Sequence, residues 1–394
     1  MAAVVAALTS AVWALLSQLY QRTIGIWMDH GLCYLLRYLV AVVRLTYLQR
    51  RKGRRFVYLE SEKYDDVVNG GAVCTPVEWS TECPQQRQHI EKGHDEILFF
   101  GVNTDGDRLA VSVSRLRSHV AQLWLDLHTR DGRRYSLPAD VTLDRSAGSC
   151  FSAAGLRLQC LAPNRRWRVA FNGMLRMQPH STSATPEEPE VHVKIGLIWS
   201  ALSHTSEQPA EIAAAMLAES CAESPTLQML RDIKRLTSEM DSYDQAGMMS
   251  GEIILNGERR ELCLWGYKIR NEGSIQAGDC EEDHHIGFLE NGDMYHLVRT
   301  TNYGGKNGGY YGSIYAPAST MLPIDYATIS TDVHAQRGRL RLRSGTFPLL
   351  ADVKFVTPPL VFQTEHSCSE VHVTAVDLKS GQNGGSGFIV SVKR

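Results

Sequence analysis

The sequence predicts an all-β protein of two barrel- or sandwich-like halves, joined by a short helical insertion and preceded by an N-terminal membrane helix. Three observations carry this. Short β-rich runs recur from Phe56 to the C-terminus, turn dipeptides such as Asp105-Gly106, Asp131-Gly132 and Asn172-Gly173 punctuate them, and the first twenty-one residues hold no charged side chain. A chain of 394 residues exceeds one ordinary core and suits an anchor plus two domains. The expected division is 1–54 for the anchor and basic juxtamembrane segment, 55–205 for the first β domain, 206–242 for a helical bridge and 243–394 for the second β domain.

At the N-terminus, Ala2 to Tyr20 is long enough to cross a bilayer as a helix. A secretory signal peptide is the competing reading, but no basic stretch precedes the apolar run and no small-x-small cleavage site follows it; a buried core helix is the third. From Gly31 to Leu48 the chain is again apolar, with Arg37, Arg44 and Arg51 at seven-residue spacing on one helical face, which describes a helix lying in a membrane interface. Arg50-Arg51-Lys52-Gly53-Arg54-Arg55 closes the region and can contact anionic lipid or form a solvated linker. The positive-inside rule then places the β domains on the cytosolic side of a single-pass anchor. Nine scattered cysteines without a Cys-x-x-Cys pair, and no Asn-x-Ser/Thr acceptor, agree with a reducing compartment.

Strands are expected at Glu96 to Val102, Arg108 to Leu116, Val120 to His128, Gly155 to Leu161, Trp167 to Gly173 and His192 to Ser203. Thr182 to Pro189 reads as a solvated loop. Glu211 to Glu219 then reads as helix, and Ser224-Pro225 looks like an N-cap and first turn opening a second helix through Met240. Strands resume at Gly251 to Asn256, Glu261 to Ile269, Met294 to Thr300 and in several runs after Leu340.

Two segments carry a family resemblance. Arg165-Arg166-Trp167-Arg168-Val169-Ala170-Phe171-Asn172-Gly173 is followed by Ser242-Tyr243-Asp244-Gln245-Ala246-Gly247, running into Gly251-Glu252-Ile253-Ile254-Leu255-Asn256-Gly257. Their order and separation resemble the carotenoid 1,2-hydratase (hydroxyneurosporene synthase) superfamily of lipocalin-like double-barrel proteins, especially the animal branch fused ahead of phosphoenolpyruvate-synthase-like phosphotransferase modules. The resemblance covers about residues 55 to 394 and implies two lipocalin-like halves. That family follows the second segment with Gly-x-Arg-Asp-His-Ser-x-Gly; here the stretch reads Gly266-Tyr267-Lys268-Ile269-Arg270-Asn271-Glu272-Gly273. Ile269 cannot carry a proton and Arg270 does not give one up, so an inherited acid-base mechanism is not expected and no catalytic residue is assigned. The resemblance implies a ligand pocket at Tyr243, Gln245, Trp265, Lys268 and Arg270, whose aromatic groups and two cations suit an amphiphile with an acidic head. Strand alternation, however, sets Trp265 and Lys268 on opposite faces.

Other candidates read as ordinary structure. Glu281-Glu282-Asp283-His284-His285 is expected to be a solvated acidic turn, because adjacent residues cannot all grip one metal ion. Tyr303 to Gly312 lacks phosphate-loop spacing and reads as a hairpin loop, and there is no Gly-x-Ser-x-Gly elbow. No cofactor is expected. A net charge of −2 gives no argument for nucleic acid. The sequence thus points to a membrane-attached, non-catalytic module that binds a lipid or isoprenoid amphiphile. Its rivals are a hydratase or isomerase using different residues, and a regulatory domain that docks a phosphotransferase partner.

Overall fold

The computed structural model describes residues 31–52, 76–86, 90, 93–116, 119–137, 141–178, 189–208, 210–274, 281–301, 309–317, 321–332, 336–363 and 370–393. The expected span at Ala2 to Tyr20 and most of the loop at Thr182 to Pro189 lie outside these residues. The first sheet contains β1 (Gly93–Val102), β2 (Arg108–Arg115), β3 (Val120–His128), β4 (Arg134–Ser136), β5 (Val141–Leu143), β6 (Cys150–Ala153), β7 (Leu156–Ala162), β8 (Arg166–Gln178), β9 (Glu190–Ala201), β10 (Ser206–Gln208), β11 (Met240–Leu255) and β12 (Glu258–Ser274). The second contains β13 (Glu281–Leu289), β14 (Met294–Thr300), β15 (Gly309–Tyr315), β16 (Met321–Pro323), β17 (Tyr326–Asp332), β18 (Arg337–Ser344), β19 (Phe347–Phe355), β20 (Leu360–Gln363), β21 (Glu370–Ser380) and β22 (Asn383–Lys393).

Eight strands of the first sheet close a barrel. Antiparallel pairing runs β1-β2-β3-β4-β8-β9-β11-β12, and β12 returns to β1 from Gly93↔Ser274 to Val102↔Trp265. The second sheet stays open as a half-barrel in the order β16-β15-β14-β13-β22-β21-β19-β18-β17. The fold is therefore all-β, as its alternation and turn chemistry predict. The division at residue 243 does not follow the sheets, because β11 and β12 complete the first barrel.

Alternation sorts the side chains of each strand into two sets. Ile97, Phe99, Val111, Leu125, Trp167, Val169, Trp199, Met249 and Leu264 fill the barrel interior. Gly247 and Gly266 leave room there for the Trp199 indole, and a Cβ at Gly247 would run into the ring.

One end of the interior is polar and charged. A short helix, Pro76–Glu82, delivers Glu82 into it. Glu82 Oε1 accepts from Lys268 Nζ at 2.7 Å and from the backbone N–H of Asn164 at 3.0 Å, and Oε2 accepts from Trp167 Nε1 at 2.8 Å. Lys268 also lies 5.1 Å from the ring centres of both Trp199 and Tyr243. Arg270 pairs with Asp95, and Arg115 bridges Asp95 at 2.7 Å and Asp144 at 2.8 Å. Three cations thus meet three carboxylates, and mutual neutralisation is what makes their burial tolerable.

The opposite faces of β1, β2, β3, β11 and β12 meet the second sheet. Leu98, Phe100, Trp124, Tyr267 and Ile269 pack there with Ile286, Phe288, Phe362, Val373 and Phe388. A clamp at the edge fixes the two sheets together. Arg134 grips both oxygens of Asp126, at 2.9 and 2.8 Å, and donates to the Pro358 and Val373 carbonyls of the second sheet. Burial alone would raise the Asp126 pKa, but hydrogen bonds and charge from Arg134 and His128 outweigh it and hold the carboxyl below its usual range.

Three helices pack beside the second sheet: α1 (Leu32–Lys52), α2 (Ala214–Ala222) and α3 (Thr226–Glu239). Their core of Tyr38, Leu45, Leu217, Cys221 and Ile233 rests on Val298 and Tyr311. The bridging helices fall close to their expected positions, but Met240 begins β11 and does not end a helix. The expected acidic turn at residues 281–285 is corrected: it is the first half of β13, with His284 and His285 buried because β14 and β22 flank the strand. In the predicted hairpin loop Tyr303 to Gly312, Gly309 onward is β15 and the preceding residues lie outside those described.

These contacts set three expectations. Gly247→Ala should lower stability by about 1–3 kcal/mol by overpacking against Trp199, read from the midpoint of chemical denaturation. Glu82→Gln should cost about 3–5 kcal/mol by the same measurement, since it leaves the buried Lys268 ammonium without its counter-charge. Because the Asp126 pKa is depressed in the folded state, its contribution is complete above the unfolded carboxyl value of about 3.9 and is lost as pH falls toward the lower folded value. Denaturation midpoints from pH 7 down to pH 3 should therefore fall more steeply for the wild type than for Asp126→Asn.

Candidate functional site

The structure separates the five residues expected to line a pocket. Tyr243, Gln245, Lys268 and Arg270 share the interior face of the β11–β12 ribbon, where Tyr243 pairs with Arg270 and Gln245 with Lys268 across the strands. All four are buried. Lys268 and Arg270 meet carboxylates of the chain itself, and Gln245 Nε2 donates to the Asn164 and Ser203 carbonyls, both at 2.8 Å. Trp265 lies on the other face, packed against the cluster between the sheets.

That other face carries a different set of polar groups. Asp244, Tyr267 and Ile269 point from β11 and β12 toward the second sheet, which answers with His284 from β13, His296 from β14 and Ser313 from β15. His296 pairs directly with Ser313 across the strands. The five polar side chains, Asp244, Tyr267, His284, His296 and Ser313, come from five strands and meet at one buried spot.

The hydrogen bonds converge on one oxygen. His296 Nδ1 donates to Asp244 Oδ2 at 2.8 Å, and Ser313 Oγ donates to the same oxygen at 3.0 Å. Because Ser313 spends its proton on Asp244, the Tyr267 hydroxyl, 2.8 Å from Ser313 Oγ, is left to donate to it. With the His296 proton placed on Nδ1 by Asp244, Nε2 is left to accept from His284 Nδ1 at 3.1 Å, and the two rings stack with centroids 5.3 Å apart. His284 Nε2 lies 4.0 Å from Glu282, which is nearer solvent. Burial and the Asp244 charge hold the Tyr267 pKa well above its ordinary value, so the phenol keeps its proton. Asp244 Oδ1, in contrast, is buried without a hydrogen-bond partner.

This asymmetry is chemically suggestive. A buried carboxylate oxygen left without a hydrogen bond costs free energy. With donors on Oδ2 and none on Oδ1, Oδ1 is the side of the carboxyl group left for a reacting partner. The line Asp244, His296, His284, Glu282 connects that group to the edge of the sheet.

Four residues further along the same ribbon face, about 13 Å at strand rise, Met248 and Trp265 line a cleft of about 1070 Å³ open to solvent. Arg130, Arg259 and Arg260 stand at its rim among Asp105, Asp107 and Glu252. Among the described residues no group of three or more His, Cys, Asp or Glu side chains is arranged to hold a metal ion.

Sequence reasoning named none of the five side chains of this network as site residues. Asp244 and Tyr267 sit inside the quoted motifs, and alternation alone places them opposite Tyr243 and Lys268. Nothing local ties them to His296 or Ser313, which are 52 and 69 residues from Asp244.

Comparison with known structures agrees with the architecture. A Nitrosomonas europaea protein described as AttH superposes with a TM-score of 0.50 at 11% identity, over 76% of this chain and 91% of that one. Kievitone hydratase from Nectria haematococca gives 0.45 at 9% identity, over 80% and 91%, and CghA with Sch210972 gives 0.41 at 10%, over 76% and 87%. At these identities the likeness is one of fold, a lipocalin-like β-barrel architecture. These neighbours lend no support to the phosphotransferase link. No curated protein matches by sequence. A family model matches residues 6–338, and the chain therefore belongs to the family of unknown function DUF8627.

Proposed function

We propose that the protein is a membrane-attached module that takes an unsaturated isoprenoid- or lipid-like molecule between its two sheets and transfers a proton to it, as a hydratase or isomerase does. The observation that carries the reading is Asp244: a fully buried carboxyl group with donors on Oδ2 and none on Oδ1, wired through His296 to His284. Protonating a carbon–carbon double bond needs a positioned acid in an apolar place, and Asp244 adjoins the apolar cluster of Ala246, Tyr267, Ile269 and Ile286. Proton transfer from Oδ1 to one alkene carbon leaves a cation on its neighbour. Water then adds there and releases its proton, or an adjacent carbon loses a proton and the double bond moves; either route restores the acid. The cleft touches the same ribbon face at Trp265 and Met248, which keeps Trp265 as a wall residue.

The absence of the hydratase superfamily's Asp-His pair from Lys268-Ile269-Arg270 favours the second reading, a non-catalytic carrier of the same class of amphiphile. The likeness to AttH supports only the fold that both readings share. Attachment to a membrane is supported by α1, which is long and apolar enough to cross one and equally fits an anchor or a signal sequence.

Deuterium uptake separates the two readings without a known substrate. The detergent-purified full chain, incubated in D₂O with acyclic isoprenoid alkenes, should place deuterium on carbon, detected by mass spectrometry. Asp244→Asn and His296→Gln should slow this at least about 100-fold while native mass spectra still show the bound alkene. Uptake unchanged in Asp244→Asn, or alkene binding with no uptake in the wild type, would leave the carrier reading in place of the enzyme.

A further inference from the structure

Helix α1 has two apolar faces, and the fold uses only one. Tyr34, Tyr38, Ala41, Leu45 and Gln49, at steps of three and four, are buried against α2 and α3. The Tyr34 hydroxyl, Arg37 Nε and Gln49 Nε2 donate to the carbonyls of Glu219, Ala222 and Ile212 at 2.8, 2.9 and 3.0 Å, which fixes the rotation of the helix. On the opposite side Leu32, Leu36, Leu39, Val40, Val43 and Tyr47 are between 41% and 71% exposed. They form one stripe along the 21 residues of the helix, about 30 Å long. An exposed apolar stripe of that length on an otherwise folded body marks an interaction surface.

We propose that this stripe docks on an anionic bilayer, with α1 lying in the headgroup plane and the two β-sheets held above it by α2 and α3. Charge selects this occupant. Arg44 and Arg51 follow one edge of the stripe, Arg50, Arg51 and Lys52 close its end, and α1 contains no acidic residue. Arginines beside an apolar face bury their stems and present their charge at headgroup depth. A second copy of the chain would set these like charges against one another across a two-fold axis. The uncharged run before Arg22 offers them no counter-charge. Crossing the bilayer would require α1 to leave α2 and α3, giving up three side-chain hydrogen bonds and placing Arg37 and Arg44 in hydrocarbon. The inference deepens the membrane-attachment part of the proposed function and is independent of the chemistry at Asp244.

The test uses the full chain in phosphatidylcholine vesicles with and without phosphatidylserine. A photoreactive benzoyl-phenylalanine replaces Val43 on the stripe, or Leu350 on the second sheet as an exposed control, and circular dichroism verifies the fold. Position 43 should label lipid acyl chains in phosphatidylserine vesicles and position 350 should not. Omitting phosphatidylserine, or combining Arg44→Glu with Arg51→Glu, should cut that labelling at least about fivefold. Cross-links from position 43 to residues 1–30 or to a second copy, labelling independent of lipid charge, or no labelling at all would each overturn the docking. If the chain stays on carbonate-washed vesicles without lipid labelling at position 43, attachment stands and only the docking of α1 falls.

Discussion

The architecture depends on one antiparallel ribbon, the pairing of Met240–Leu255 with Glu258–Ser274. It closes the first barrel by joining β9 on one side and β1 on the other, and its outer face carries the second sheet. Strand alternation with a period of two lets a single ribbon do both. Tyr243, Gln245, Lys268 and Arg270 turn inward, while Asp244, Ala246, Tyr267 and Ile269 turn outward. A slip of one residue would exchange the two sets, driving the cations into the interface between the sheets and Asp244 among the indoles of the barrel. The register is thus held by electrostatics as well as by packing.

The two faces treat buried charge in opposite ways. Inside the barrel each cation has a carboxylate: Lys268 meets Glu82, Arg270 meets Asp95, and Arg115 spans Asp95 and Asp144. Such a set costs desolvation and recovers it only when complete, so it acts as a fixed plug. Asp244 on the outer face takes its hydrogen bonds from His296 and Ser313, with Oδ1 unpaired. The outer set differs in kind: one carboxyl group is shared by imidazole and hydroxyl donors, with no Arg or Lys paired to it among the described residues.

The helices add a second economy. α1 covers α2 and α3 with one face and keeps an apolar, arginine-edged stripe on the other, while the open half-barrel gains a cover over Val298 and Tyr311. The proposed apolar ligand and the proposed membrane contact of α1 belong together physically, because the solubility of such a ligand in water is low and a bilayer is where it accumulates.

Much of this was legible in the sequence. Local alternation and turn residues determined the all-β class, the limits of β3 and β14, and the placement of the two bridging helices, because these follow from backbone preferences within a few residues. Alternation also separated Trp265 from Lys268. The seven-residue arginine spacing marked α1 as amphipathic. What the sequence could not supply was partnership at long range. Glu82 reaches Lys268 across 186 residues, and His296 reaches Asp244 across 52. Burial of β13 depends on β14 and β22 lying on either side of it, which no local pattern of Glu, Asp and His foretells. Tertiary structure alone decided that the two basic residues of the altered signature are neutralised inside a barrel, and that a carboxylate on the neighbouring strand faces the histidines of the other sheet.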